Sequence, residues 1–143
     1  MPAISSPSDA TMTVAASALQ AQQQRMRIIA ENIANADSTA STPNADPYRK
    51  QTPVFTTKVL PGGFKGVSLS RVDIDQSAFR TEYNPGHPAA NAQGYVKMPN
   101  VEPMTETLDM REAQRAYEAN ISVIETARAM DSSTLGLLKG SGQ

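Results

Sequence analysis

The sequence predicts an α+β chain: two long terminal helices packed as an antiparallel, coiled-coil-like pair, with a small β-rich module between them. Three observations predict it. Glycine and proline are absent from Ser8 to Thr42, and after Pro103 neither returns until Gly136, yet both crowd the residues between. In both flanks, small and apolar residues recur at steps of three and four, the spacing of one helix face. In the middle the period falls to two, as in a strand.

The C-terminal flank carries the longer stripe: Ala113, Ala116, Tyr117, Asn120, Val123, Ile124, Ala127, Met130, Thr134, Leu137 and Leu138. Residues Met104 to Leu135 alone make a rod of roughly 48 Å at about 1.5 Å per residue. Such a rod overhangs any domain this chain can build. Its helix is expected over 100–139, with Pro103 tolerated in the first turn and Glu102 and Glu106 suited to the positive end of its dipole. Glu112–Arg115 and Glu125–Arg128 are spaced to pair across one turn.

The N-terminal flank offers the partner, a helix over 8–36. Ser8 or Asp9 suits the cap position. Met12, Ala15, Leu19, Gln22, Met26, Ile29 and Ile33 alternate three- and four-residue steps, a heptad seam weakened by alanine and glutamine. The turn formers at Asn35-Ala-Asp-Ser-Thr end it.

Residues 37–47 read as a polar linker and 48–99 as the β-rich module. Val54 to Val59 and Val67 to Val72 alternate about a Pro61-Gly62-Gly63 turn; Phe79 to Tyr83 and the segment after Gly94 suggest further short strands. Six of the seven aromatics (Tyr48, Phe55, Phe64, Phe79, Tyr83, Tyr95) fall here. Large rings bury the most area, so an independent core is expected here, though a marginal one.

The totals remove several classes of function. The chain has 143 residues and a net charge of −1, from thirteen Lys and Arg against fourteen Asp and Glu. No basic excess is available to neutralise phosphates, so nucleic acid is not an expected partner. Cysteine is absent, which excludes disulfides, thiolate chemistry and Cys-ligated metals. The opening residues lack the charged and apolar regions of a Sec signal peptide. Apolar runs are too short for membrane insertion. General transport would leave such a chain in the cytoplasm; a dedicated secretion machine accepting uncleaved chains would not.

Each candidate for chemistry has a plainer alternative. His87 is the only histidine and sits in a Pro-rich turn; one His without Cys supplies no zinc set, and no nucleophile elbow accompanies it. Asp73 and Asp75 share one strand face and read as solvated rather than as an acid–base pair. Gly62-Gly63 lacks the following Lys-Ser/Thr of a phosphate loop. Tyr117 reads as packing, and Asn120, inside the stripe, as a register device. No enzyme activity, cofactor, metal or small-molecule substrate is expected.

Two seams this poor in large residues bury too little surface to be rigid alone. The ends are expected to order when copies pack, contacts between subunits offsetting the lost entropy. Head-to-tail packing that does not close gives a helical tube. A free-standing coiled-coil adaptor with a β-rich binding head is the competing arrangement.

Four blocks in order resemble one family, the bacterial flagellar rod and hook proteins. The first runs from Ala21 to Ala36, with Glu31-Asn32-Ile33-Ala34-Asn35-Ala36 at its heart. The second is Asp46-Pro47-Tyr48-Arg49-Lys50 followed by Pro53-Val54-Phe55. The third is Tyr83-Asn84-Pro85-Gly86-His87-Pro88, then Gly94-Tyr95-Val96, then Pro99-Asn100-Val101, and it resembles the proximal-rod members. The fourth is Arg115-Ala116-Tyr117-Glu118-Ala119-Asn120. Together they span roughly Leu19 to Leu138. Three departures stand out: a Ser/Pro-rich start, Asn44-Ala45-Asp46 in place of glycines, and Arg128 in place of lysine. The resemblance implies a structural subunit of the basal-body drive shaft, exported by the flagellar type III apparatus and assembled in the periplasm through its terminal helices. The partners it implies are copies of itself and other rod subunits of the FlgB, FlgF and FlgG kinds. It further implies that Asn32 and Asn35 hydrogen-bond backbone where the first helix turns into the linker.

Overall fold

The computed structural model describes residues 6–142. The reading of the first five residues lies outside these. Six elements follow in order: α1 (Pro7–Ala34), β1 (Gln51–Val59), β2 (Lys65–Ile74), β3 (Arg80–Tyr83), β4 (Tyr95–Met98) and α2 (Pro103–Gly140). The two helices pack against each other, and the four strands form two separate antiparallel hairpins, β1–β2 and β3–β4.

Helix α1 starts one residue before the expected cap. Ser6 is the cap: its hydroxyl accepts from the Asp9 N–H and the Asp9 carboxylate accepts from the Ser6 N–H, each at 3.2 Å. That reciprocal box satisfies two of the N–H groups a helix start leaves unpaired, and Pro7 occupies the first turn where no N–H is needed. Helix α2 also begins on a proline, Pro103, without a side-chain cap.

The helices differ in length, 28 residues against 38. At about 1.5 Å per residue that is roughly 42 Å against 57 Å. The Ser8 hydroxyl meets the Asp131 carboxylate, so α1 begins level with Asp131. From Ser132 to Gly140 every residue of α2 is exposed.

The core is not aromatic. Its buried apolar residues are Ala15, Ala21, Ile28, Ile29, Ala36, Ala89, Val96, Val101, Ala113 and Ala127. Tyr48, Phe55, Phe64 and Phe79 are only half-buried, and Tyr83 and Tyr95 are exposed. The expectation of an independent aromatic core in the middle is therefore corrected. Two-stranded hairpins cannot enclose bulky rings and are marginal alone; the β1–β2 hairpin instead leans on α1. Gly66 permits this approach, because a methyl group there would sit 2.5 Å from Ser17 Oγ. Ser17 in turn accepts from the Val67 N–H at 3.2 Å.

On α1 the burial forms two stripes. Ala15 and Ile29 lie on the expected seam, whose other members are half-buried; Ser17, Ala21 and Ile28 lie on a second face. A helix flanked by both a helix and a hairpin needs more than a two-position seam.

The second hairpin is closed by Tyr83 opposite Tyr95, with ring centroids 5.4 Å apart in an edge-to-face arrangement. Gly94 makes this possible twice over: its φ is +85°, and a Cβ would lie 2.8 Å from the Tyr83 ring.

Candidate functional site: a polar root and an open helix end

The motif residues gather where α1 ends, β1 begins and α2 begins. Asn32 is the hub. Its Nδ2 donates to the Gln51 carbonyl at 2.8 Å and to Glu106 Oε2 at 3.0 Å. Its Oδ1 accepts from the Tyr48 hydroxyl at 2.8 Å and the Gln51 N–H at 2.9 Å. One amide thus satisfies four partners from three segments, filling its full hydrogen-bonding capacity.

Glu106 is the residue the sequence reading missed. Its place in the first turn suits the α2 dipole, but it is also 1% exposed. A buried carboxylate requires a counter-charge. Lys50 provides it, with Nζ 2.5 Å from Oε1, a close ion pair rather than an aligned hydrogen bond. Burial, then the carboxylates of Glu31 and Glu106, push the Tyr48 phenol above its usual range.

Asn100 fastens the other side. Its Oδ1 accepts from the Lys50 N–H at 2.8 Å, while its Nδ2 donates to the Asp75 carbonyl at 3.0 Å and to Ser77. Pro47, Pro99 and Val101, neighbours of these residues in sequence, are buried. Asn35 caps α1: its Nδ2 donates to the Glu31 carbonyl at 2.8 Å and its Oδ1 accepts from Ser38. Glu31 itself stays exposed, 3.9 Å from Arg27.

The candidates for chemistry are scattered. With His87 Nδ1 accepting from the Ala89 N–H at 3.0 Å, the neutral ring presents Nε2–H to Thr39 Oγ1 at 3.1 Å. His87 thereby ties the linker to the turn holding Pro85, Gly86 and Pro88. Asp73 pairs with Arg71 at 2.7 Å. Asp75, just past β2, accepts from the Ser77 N–H at 2.7 Å, and the Ser77 backbone and hydroxyl hold its carboxyl below the usual range. Asp73 pairs within its strand and Asp75 holds the turn that follows, and the two line no common pocket. Among the described residues no three acidic, His or Cys side chains form a metal cluster, and no helix is long and apolar enough to cross a membrane.

The seam residues divide by position. Ala113 and Ala127 are buried, and Tyr117, Asn120 and Ile124 half-buried. Tyr117 accepts a long bond from Gln23 at 3.4 Å. Asn120 donates to the Ala116 carbonyl of its own helix at 2.9 Å. Glu112 does not pair with Arg115; it reaches across to Arg25 at 3.6 Å. No ion pair joins Glu125 to Arg128 among the described residues. Towards the C-terminus the stripe opens to solvent, with Met130 64% and Leu137 76% exposed. Beside it lies an apolar groove of about 530 Å³ between the start of α1 and α2, lined by Pro7, Thr11, Val123, Ala127 and Met130 among others.

Comparison with known proteins gives this arrangement its family. Residues 12–40 match the family described as Flagella basal body rod protein, and residues 92–137 match the one described as Flagellar basal body rod FlgEFG protein C-terminal. The chain is 46% identical over 136 residues to the flagellar basal-body rod protein FlgC of Agrobacterium fabrum, covering 94% of this chain and 98% of that one. It is 42% identical over 125 residues to the protein of the same name from Salmonella typhimurium, covering 87% and 92%. Against that of Bacillus subtilis the identity is 35% over 136 residues, covering 84% and 91%. A buried polar root built from the motif blocks, a helix pair with one open end, and relatives aligned over nearly their whole lengths lead to one statement: this chain belongs to the flagellar basal-body rod protein family, a structural component of the flagellar basal body.

Proposed function

We propose that the chain is a subunit of the proximal rod, the drive shaft of the basal body. It leaves the cell uncleaved through the flagellar type III apparatus and assembles in the periplasm. Its terminal helices pack with copies of itself and with other rod subunits into a helical tube, and no catalytic step is involved. The helices act as one helical domain, with 37–47 as a linker and 48–99 as a β-rich module whose first hairpin leans on α1. In this reading the motif residues fix the angle between helices and hairpin, the buried seam residues hold α1 to α2, and the exposed ones, Met130 and Leu137, meet neighbouring subunits.

The observation that carries the proposal is the unequal helix pair. A helix end that keeps nine consecutive residues exposed, three of them leucine, is unfavourable in an isolated molecule, where apolar area gains nothing from water. It is useful in one that ends beside another copy. Small residues such as Ala15, Ala113 and Ala127 let the helices approach closely and leave the larger stripe residues pointing outward.

The test is deletion of the gene. Cells lacking the chain are expected to make no hook and to be non-motile, with motility restored by the plasmid-borne chain. A normal hook without it would reject the rod reading, and a stable closed dimer of the purified chain would favour an adaptor.

A further inference from the structure

We propose that His87 is a proton-operated latch: neutral, it ties the linker to the second hairpin, and protonated, it releases it. The device belongs to the single chain and stands apart from the rod reading.

The second hairpin depends on such a tie. Strands β3 and β4 pair with each other, and neither packs against a helix or against the first hairpin. The linker reaches them instead. Asp37 and Thr39 share a hollow of about 170 Å³ with Glu82, His87 and Val96. Among the described residues two polar ties join the linker to this hairpin and its turn. One is the His87–Thr39 bond at 3.1 Å. The other is the Lys97–Asp46 pair at 3.3 Å, whose exposed charges contribute little.

Both ring nitrogens of His87 are used, in opposite senses. Nδ1 accepts from the Ala89 N–H at 3.0 Å, and Nε2–H is the donor to Thr39 Oγ1. Only the neutral ring can do both. A second proton falls on Nδ1, where it meets the Ala89 N–H, donor against donor. Ala89 is 7% exposed, so water is no ready substitute for the lost acceptor. The imidazole is rigid, and turning Nδ1 away from Ala89 withdraws Nε2 from Thr39 as well. One proton therefore undoes both bonds.

The hollow supplies a destination for the charged ring. Glu82 of β3 and Asp37 of the linker line it, and a carboxylate favours an imidazolium nearby. From β4 the lining is apolar, Val96 and Met98, and from the turn Asn84 adds no charge. Lys97 and Asp46, the other charges of β4 and the linker beyond it, are taken up with each other. Histidine is the side chain whose charge ordinarily changes between pH 5 and 8, a range in which carboxylates ordinarily keep theirs. Neutral medium thus holds the latch shut, and acid opens it.

Amide exchange of the purified chain at pH 8 and pH 5, corrected for the intrinsic effect of pH, reads the latch. Ala89 is expected to lose about tenfold in protection in acid, the order expected for one buried hydrogen bond. Ala90, which donates to the His87 main-chain carbonyl at 3.0 Å, is the control and should stay unchanged. His87→Asn sets an amide oxygen near the place of Nδ1 and cannot titrate, so its Ala89 protection should be equal at both pH values. Asp37→Asn with Glu82→Gln is expected to move the release about half a pH unit lower. Nitroxides on Thr42→Cys and Gln93→Cys, both exposed positions in a chain without cysteine, should give a narrow distance distribution at pH 8 and a broad one at pH 5. Equal Ala89 protection at the two pH values, joint loss at Ala89 and Ala90, a pH-dependent Ala89 in His87→Asn, an unmoved release in the double carboxylate variant, or one distance distribution throughout would overturn the proposal. The two readings fail separately. Hooks that form without the gene remove the rod reading and leave the latch; a flat pH profile removes the latch alone.

Discussion

The two ends of the helix pair are built on opposite principles. At the root, where α1 stops and α2 starts, a saturated amide, a buried carboxylate and a lysine hold three segments together. At the mouth, alanine, threonine and valine leave a shallow apolar groove and a helix end without a neighbour. The polar end is directional and admits one geometry, because a misplaced buried group costs its full desolvation. The apolar end is non-directional and can accept whatever covers it. A subunit that must present a fixed angle to its hairpin while receiving a neighbour gains from this division.

The strongest way to break the comparison is to remove the root's charge. Glu106→Ala strands Lys50 and leaves one of the two Asn32 Nδ2 hydrogens without an acceptor. The purified chain is expected to lose about 3 kcal/mol of unfolding free energy, the lower end for a broken buried pair because Lys50 partly reaches solvent. Glu112→Ala, which removes the exposed partner of Arg25, should cost less than about 1 kcal/mol. Equal losses in urea titration would mean that the root is no more than a surface pair.

A smaller effect tests the hub itself. Tyr48→Phe deletes one of four bonds to Asn32 and is expected to cost about 1 kcal/mol at neutral pH. It also has a sign in alkali. The folded phenol titrates above its ordinary 10.0, so above that pH the unfolded chain releases its proton first. Stability contributed by the protonated phenol is complete below pH 10 and declines as pH rises through the folded value. Denaturation midpoints between pH 9 and 11 should therefore fall more steeply for the native chain than for the variant. Parallel slopes would show that the phenol is solvated in the fold.

How much of this was legible in the sequence follows the same division. Helix positions, the hairpin turn at Pro61-Gly62-Gly63 and the unequal stripe come from local rules, which depend on period and on glycine and proline. The four motif blocks marked Asn32, Tyr48 and Asn100 by resemblance, but nothing local marked Glu106. A glutamate in a first helical turn has a sufficient explanation in the dipole, and only the three-dimensional meeting with Lys50, fifty-six residues earlier in the chain, shows that it is buried. The aromatic residues misled for a related reason: ring size predicts burial only where enough strands exist to enclose a ring.

At the mouth, the cap is the sharper probe. Ser6→Ala removes the acceptor for the Asp9 N–H and should cost about 1 kcal/mol. The loss is expected to appear as faster amide exchange over the first turns of α1 while the root stays protected. A uniform increase along α1 would mean that the helix opens as one unit and that the two ends are not separable.

The least costly change for the isolated chain is the one that matters most to a neighbour. Leu137 touches nothing in the monomer that would miss it, so Leu137→Ser is expected to shift unfolding by no more than about 0.5 kcal/mol. A root residue couples stability to function, because the same bonds hold the fold and aim the helices. At the open end the two separate: the apolar area lost by the substitution counts only once a second molecule has excluded water from it. A loss of swimming at unchanged melting temperature would therefore locate function at the mouth. A lowered melting temperature would show that α2 already uses this residue inside one molecule, and the contrast between the two ends would dissolve.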